Sequence, residues 1–191
     1  MERRRLIWNS DEYEVIASAK LNGECRIETG LIIDSSYSQV DLEFGILVKL
    51  RENGSHIICW NEGATIQVYM SGSNLYNQGV SSYTSINTHY DVYTTTTDTT
   101  RTLRVNNGST QSQSFSRPFA NAIGKQIYLF SYYTGGSQLH EVIDYFNIKL
   151  NGSYIRKYKF VKHKASGEIS MMDELTGDIY PNVGEGYFSE I

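Results

Sequence analysis

Apolar and polar residues alternate along much of this chain. Over 142–150, Phe146, Ile148 and Leu150 fall on one side of an extended segment, because side chains of a strand point to opposite faces in turn. Leu103 and Val105 share a face in the same way, with Thr102 and Arg104 on the other. After Asn151-Gly152 the period continues, with Tyr154, Tyr158 and Phe160 on one face. Segments 40–50 and 142–150 are more continuously apolar than one-sided strands, which predicts central positions in a two-sheet stack. Further strands are predicted over 64–70, 89–95, 125–132 and 168–172. No stretch keeps an apolar i, i+3, i+4, i+7 pattern for three turns, so helices should be few and short.

Turns punctuate these segments. Asn-Gly, the strongest short hairpin signal because both residues tolerate positive φ, occurs at Asn22-Gly23, Asn53-Gly54, Asn107-Gly108 and Asn151-Gly152. The polar tract Thr94 to Thr100 is rich in β-branched residues and suits a hairpin crest. Turn text recurs about every 8–15 residues, the spacing of an antiparallel sandwich. The expected fold is all-β, a two-sheet antiparallel β-sandwich of jelly-roll type. It is expected to be a single domain over residues 11–191, preceded by an N-terminal arm over 1–10.

The length of 191 residues suits one such domain with a real core. Composition agrees, with 15 Tyr and 16 Gly beside many Ser and Thr. A net charge of −4 excludes a domain-wide basic footprint for nucleic acid. Apolar runs such as Ile57-Ile58-Cys59-Trp60 are too short to cross a bilayer. The start has three arginines but no apolar h-region, so no secretory signal is expected. Cys25 and Cys59 are too few for a disulfide framework and are expected to be reduced, half-buried side chains. His56, His89, His140 and His163 lack metal-ligand spacing, and no Asp-x-Asp-x-Asp loop occurs. Asp34, Asp98, Asp144 and Asp173 read as solvated turn residues. No metal and no cofactor are expected.

The C-terminal third carries a resemblance. The strand 142–150, its Asn-Gly turn and the strand beginning Tyr154-Ile155-Arg156-Lys157-Tyr158 resemble a signature of concanavalin A-like (laminin-G-like) jelly-roll domains. Such domains occur in phage tail or fibre proteins and in bacterial surface proteins. The following text, Ser170-Met171-Met172-Asp173, Thr176-Gly177-Asp178-Ile179-Tyr180 and Asn182-Val183-Gly184-Glu185-Gly186-Tyr187-Phe188, is similar to the family's closing hairpin. So is the middle, His89 to Tyr93 and Leu103 to Gly108, and Gly30-Leu31-Ile32 resembles its opening strand. Two positions depart: Lys157 stands where the family has an acid after Arg156, and Phe160 where it has Pro. The resemblance implies the jelly roll; such sandwiches host lectins, hydrolases and structural modules alike.

A glycan-cleaving jelly roll needs carboxylates spaced along one strand so that both reach one face. Asp41-Leu42-Glu43 puts two acids on a face without a third; they read as an outward, solvated pair. No Gly-x-Ser-x-Gly elbow is present. The chain is therefore expected not to be an enzyme. Sugar binding instead needs flat rings for CH faces, with amides and carboxylates beside them. The candidates are Trp60, Tyr69, Asn74, Tyr76, Asn77, Gln78, Tyr83, Tyr132 and Tyr133, with 72–83 read as a loop carrying rings and amides. The expected function is a non-catalytic adhesion or carbohydrate-binding module, or a virion-surface structural module, of phage or prophage origin. A capsid- or tail-assembly protein without a glycan ligand is the alternative. Expected partners are a cell-surface glycan or other virion proteins, with no nucleic acid and no membrane, in a homo-oligomer.

Overall fold

The computed structural model describes residues 6–49, 55–62, 65–115, 119–131 and 140–191. In chain order the strands begin β1 (Leu6–Ile7), β2 (Tyr13–Ile16), β3 (Ala19–Asn22), β4 (Ile27–Ile32), β5 (Gln39–Val48) and β6 (Ser55–Asn61). They continue with β7 (Gln67–Ser71), β8 (Asn74–Asn77), β9 (Val80–Tyr83), β10 (Thr88–Thr97), β11 (Thr100–Val105) and β12 (Gln111–Ser114). The last six are β13 (Gln126–Leu129), β14 (Val142–Leu150), β15 (Ser153–His163), β16 (Ile169–Asp173), β17 (Asp178–Tyr180) and β18 (Tyr187–Ser189). Among the described residues the sole helical turn is a 3₁₀ segment at Phe119–Ala122, and no helix is long and apolar enough to cross a membrane.

Two antiparallel sheets form the sandwich. The large one runs β1-β17-β16-β15-β14-β5-β10-β11-β12, with β2 added on β15, and with β3 joining β14 to β18. The small one runs β4-β13-β6-β7-β8-β9. The two long apolar strands, β5 and β14, lie side by side in the middle of the large sheet, as their composition predicts. Their inner faces meet the small sheet through Phe44 and Phe146, in register and stacked at 5.1 Å. Phe130 meets Phe146 and Phe188 edge-on, and Phe160 packs on Phe188. Each such ring contributes about 1.5–3 kcal/mol by leaving water.

The Asn-Gly signals resolve unequally. Asn151 and Gly152, at φ 47° and 79°, close β14 onto β15 with Leu150 opposite Ser153, a two-residue turn whose twist matches the strands. Asn107-Gly108 lies in the connection between the paired strands β11 and β12; the left-handed residue there is Asn106 (φ 51°), whose side-chain oxygen accepts the Asp91 N–H. Asn22-Gly23 is not a hairpin: it passes the chain from β3 in the large sheet to β4 in the small one. Asn53-Gly54 lies outside the described residues, and its flanking strands belong to different sheets. The Thr tract is the β10–β11 hairpin, Thr96 opposite Arg101.

Other expectations need correction. Segment 72–83 is no loop; it forms strands β8 and β9, because tight turns at 72–73 and 78–79 reverse the chain twice. Tyr154 does not share a face with Tyr158 and Phe160. A bulge opposite Ile148/Lys149 adds a residue and turns Tyr154 outward, while the other two are fully buried. Both cysteines are free and wholly buried rather than half-buried. Burial pushes the Cys25 thiol up to about 11, against a bond to the Asn22 backbone, and raises Cys59 as well.

Asp173 is no solvated turn residue. It is fully buried, accepts the Lys157 and Leu175 N–H groups at 3.0 and 3.2 Å, and lies 3.8 Å from Arg156 Nε. Arg156 thus finds its carboxylate across the ladder instead of from its sequence neighbour. Asp144 faces His89 at 2.5 Å, and Asp98 accepts the Phe119 N–H. Asp34 keeps the turn role, accepting the Ser36 N–H at 2.7 Å.

The closing Asn-x-Gly-x-Gly text acts as a clamp. Asn182 Oδ1 accepts the Arg26 and Gly184 N–H groups, and its Nδ2 donates to the Gly186 carbonyl. Val183 and Gly186 donate to Arg26 and Glu24 carbonyls. A Cβ at Gly184 would fall on the Glu24 carbonyl, and one at Gly186 on that of Asn22. Here glycine serves close backbone approach.

Candidate functional site

Cross-strand register builds a stripe on the outer face of the small sheet. One row runs Glu28, Tyr128, Trp60, Gln67 across β4, β13, β6 and β7; the next runs Ile57, Tyr69, Tyr76, Ser81 across β6 to β9. A third places Ser71, Asn74 and Tyr83 side by side. A bulge between Ile57 and Cys59 keeps both Ile57 and Trp60 on this face. Ile57, Trp60 and Tyr128 form a small apolar cluster with Tyr69 packed against it, separate from the main core. Tyr69 and Tyr76 stack with centroids 4.9 Å apart and planes within 6°.

Exposure rises along the stripe, from 7% at Trp60, through the half-buried Tyr69 and Tyr76, to 62% at Tyr83. At the buried end the Tyr128 hydroxyl donates to Glu62 Oε1 at 3.1 Å, and Lys125 Nζ lies 3.9 Å from the other oxygen. Burial, then the Glu62 carboxylate, push the Tyr128 phenol up to about 12. The surface therefore offers rings, the Asn74 and Gln67 amides and a held carboxylate, a set that suits hydroxyl-bearing ligands with apolar CH faces.

Of the sequence candidates, Trp60, Tyr69, Asn74, Tyr76 and Tyr83 meet on this face. Asn77 does not. It points inward, fully buried, and its Nδ2 donates to the Thr95 and Thr102 carbonyls of the large sheet at 3.2 and 2.8 Å. Gln78 occupies the β8–β9 turn at φ 35° and is nearly buried. Tyr132 and Tyr133 lie outside the described residues. Sequence reasoning missed Tyr128, although alternation against Ile127 and Leu129 marks it as outward.

The outer face of the large sheet is a different surface. Here Asp41 and Glu43 do point outward, but they are not a solvated pair. Gln39 Nε2 donates to both Asp41 oxygens at 2.9 Å, and Thr95 Oγ1 donates at 2.7 Å. Glu43, with its side chain 17% exposed, binds Lys149 and the Tyr154 hydroxyl. Burial would raise the Glu43 pKa, but the bonds from Lys149 and Tyr154 outweigh it and hold the carboxyl below its ordinary range. Tyr145 donates to Asp91 at 3.0 Å, and Arg104 lies over the Tyr93 ring at 4.0 Å.

With this geometry in view, the mouse laminin alpha1 chain, domains LG4-5, superposes on the protein with a TM-score of 0.52 at 10% identity. The match covers 88% of this chain and 50% of that one, so the protein spans half the laminin chain's length. The fold is laminin-G-like. No protein-family model and no curated protein matches the chain. The laminin-G-like sandwich accounts for the paired sheets.

Proposed function

We propose that the protein is a non-catalytic adhesion module of a virion or cell surface, and that the stripe from Trp60 to Tyr83 contacts a carbohydrate. The carrying observation is the alignment of Trp60, Tyr69, Tyr76 and Tyr83 with Asn74 on one outer face. Tyrosines present contact area at little entropic cost, and a shallow, open surface gives weak single-site binding that copies reinforce by avidity. The state of Glu43 supports the non-catalytic reading. Its carboxylate is already taken up by Lys149 and the Tyr154 hydroxyl, and the neighbouring Asp41 by Gln39 and Thr95, so the two acids are bound to this chain's own groups. The test is a glycan array followed by titration of the best hit. Tyr76→Ala should weaken binding about tenfold or more, the effect expected from losing a stacked ring. An array with no hit, or a Tyr76→Ala variant that binds as well as the parent, overturns the proposal.

A further inference from the structure

We infer that β12 is the site where a second copy of this chain docks, edge to edge. Among the described residues the strand ends the large sheet and pairs with β11 alone, so one side of its backbone is left to offer donors and acceptors. All four of its side chains are exposed. Natural sheets guard such an edge by keeping it very short, or with lysine, proline, a bulge or a covering segment. β12 is short, but Gln111-Ser112-Gln113-Ser114 holds no charge and no proline, its ladder with β11 is regular, and among the described residues no strand pairs with its other side, the β8–β9 turn reaching it only at Gln113, beside Gly79. At the opposite side of the sandwich, the small sheet's edge strand β4 carries Glu28 and is interrupted by Gly30 at φ 65°.

The pattern of β12 is compatible with itself. Opposed residues of an antiparallel pair share a face, so a two-fold axis through Ser112 sets Ser112 against its own copy and Gln111 against Gln113 of the other. Gln111 and Gln113 share the face of Leu103 and Arg101; Ser112 and Ser114 share that of Thr102 and Thr100. Two neutral amides that each donate and accept can pair in this register, and no like charges meet. Beside the strand lies an open depression of about 550 Å³ lined by Thr99, Thr100, Gln113, Ser114 and Phe115, room for side chains of the incoming copy. Four edge residues make few backbone bonds, so the dimer is weak and forms with concentration. It would set two aromatic stripes on one particle, as the avidity in the proposed function requires. The docking itself does not depend on what the stripes bind.

Sedimentation of the full chain across a concentration series tests this. The parent should pass from monomer to dimer. Ser112→Lys and Ser112→Asp place like charges at the axis, and each should weaken dimerisation about tenfold or more. Mixing the two variants should restore a heterodimer. Melting temperatures of both should match the parent, since position 112 is exposed. A parent that stays monomeric throughout, or a Ser112→Lys chain that dimerises unchanged, overturns the inference. A monomer that still binds glycan through Tyr76 refutes the dimer and leaves the carbohydrate proposal standing.

Discussion

The two outer faces of this sandwich carry similar residues in different arrangements. On the large sheet, Tyr154, Tyr145 and Tyr93 each engage a charged neighbour: Glu43, Asp91 and Arg104 respectively. On the small sheet, Tyr69 and Tyr76 engage each other, and Tyr83 stands 62% exposed at the end of the stripe. A ligand approaching the large sheet must replace charge-assisted bonds that already exist, which costs what the ligand returns. One approaching Tyr69 and Tyr76 on the small sheet covers the surface of two mutually stacked rings, and that releases water. Tyrosine content therefore says little about binding; what each ring is already doing decides.

The largest expected effect unlocks both faces together. Gly186→Ala places a methyl on the Asn22 carbonyl, and Gly184→Ala places one on that of Glu24. These are backbone atoms of the β3–β4 crossover and cannot swing aside. Either change should cost several kcal/mol, about 3 or more, and read as a large drop in the urea midpoint or failure to fold. If both variants melt like the parent, the clamp is not what joins the C-terminal hairpin to the crossover.

Next in size is the strut between the sheets. Asn77→Ala removes both bonds to the Thr95 and Thr102 carbonyls. The expected loss is about 1–3 kcal/mol in chemical denaturation, with glycan binding per folded molecule unchanged. If instead affinity falls while stability holds, Asn77 belongs to the contact surface after all, and the division between inward and outward residues of β8 fails.

How much of this was legible beforehand follows from what each signal measures. Alternation exposed the faces of β14, where Phe146, Ile148 and Leu150 all turn inward. It failed at Tyr154, because a bulge adds one residue and reverses the parity, and bulges leave no mark in a polar-apolar pattern. Asn-Gly located a left-handed turn at 151–152, yet at 22–23 the same pair serves a passage between sheets. The dipeptide permits a left-handed φ without requiring it, and does not set the strand that follows. The stripe was half legible: Trp60, Tyr69, Asn74, Tyr76 and Tyr83 were candidates one by one, but their meeting depends on the register of β6 through β9. Asn77 looked like its neighbours because sequence shows amides without their direction. Once 72–83 is read as strands and not a loop, parity alone separates inward Asn77 from outward Tyr76.

A direct contrast of the faces comes from paired ring deletions. Tyr76→Ala on the small sheet should reduce glycan affinity about tenfold. Tyr154→Ala on the large sheet, at a more exposed ring, should leave it within about twofold, the reach of indirect effects. Isothermal titration of both variants against the same glycan measures this. Equal losses would mean that the large sheet's face binds as well, and the distinction between rings held by charged neighbours and rings stacked on each other would fall.

The smallest effect probes the engaged face by pH. Glu43→Gln removes the carboxylate that Lys149 and Tyr154 bind. The pair is partly exposed, so the expected loss near neutrality is about 0.5–1 kcal/mol. Its sign with pH is fixed by the shift. The folded carboxyl lies below its ordinary range, so the folded state binds fewer protons than the unfolded one near that range. The stabilisation is present above the unfolded pKa, about 4.3, and disappears as pH falls through the lowered folded value. Lys149 mirrors this at high pH. The Glu43 bond raises its ammonium pKa, so its share is complete below about 10.4 and is lost as pH rises through the folded value. Urea midpoints of parent and Glu43→Gln should therefore differ at neutral pH and converge in acid. A difference that stays constant down to acid would show that Glu43 acts through packing, and that the large sheet's face is not held by charge.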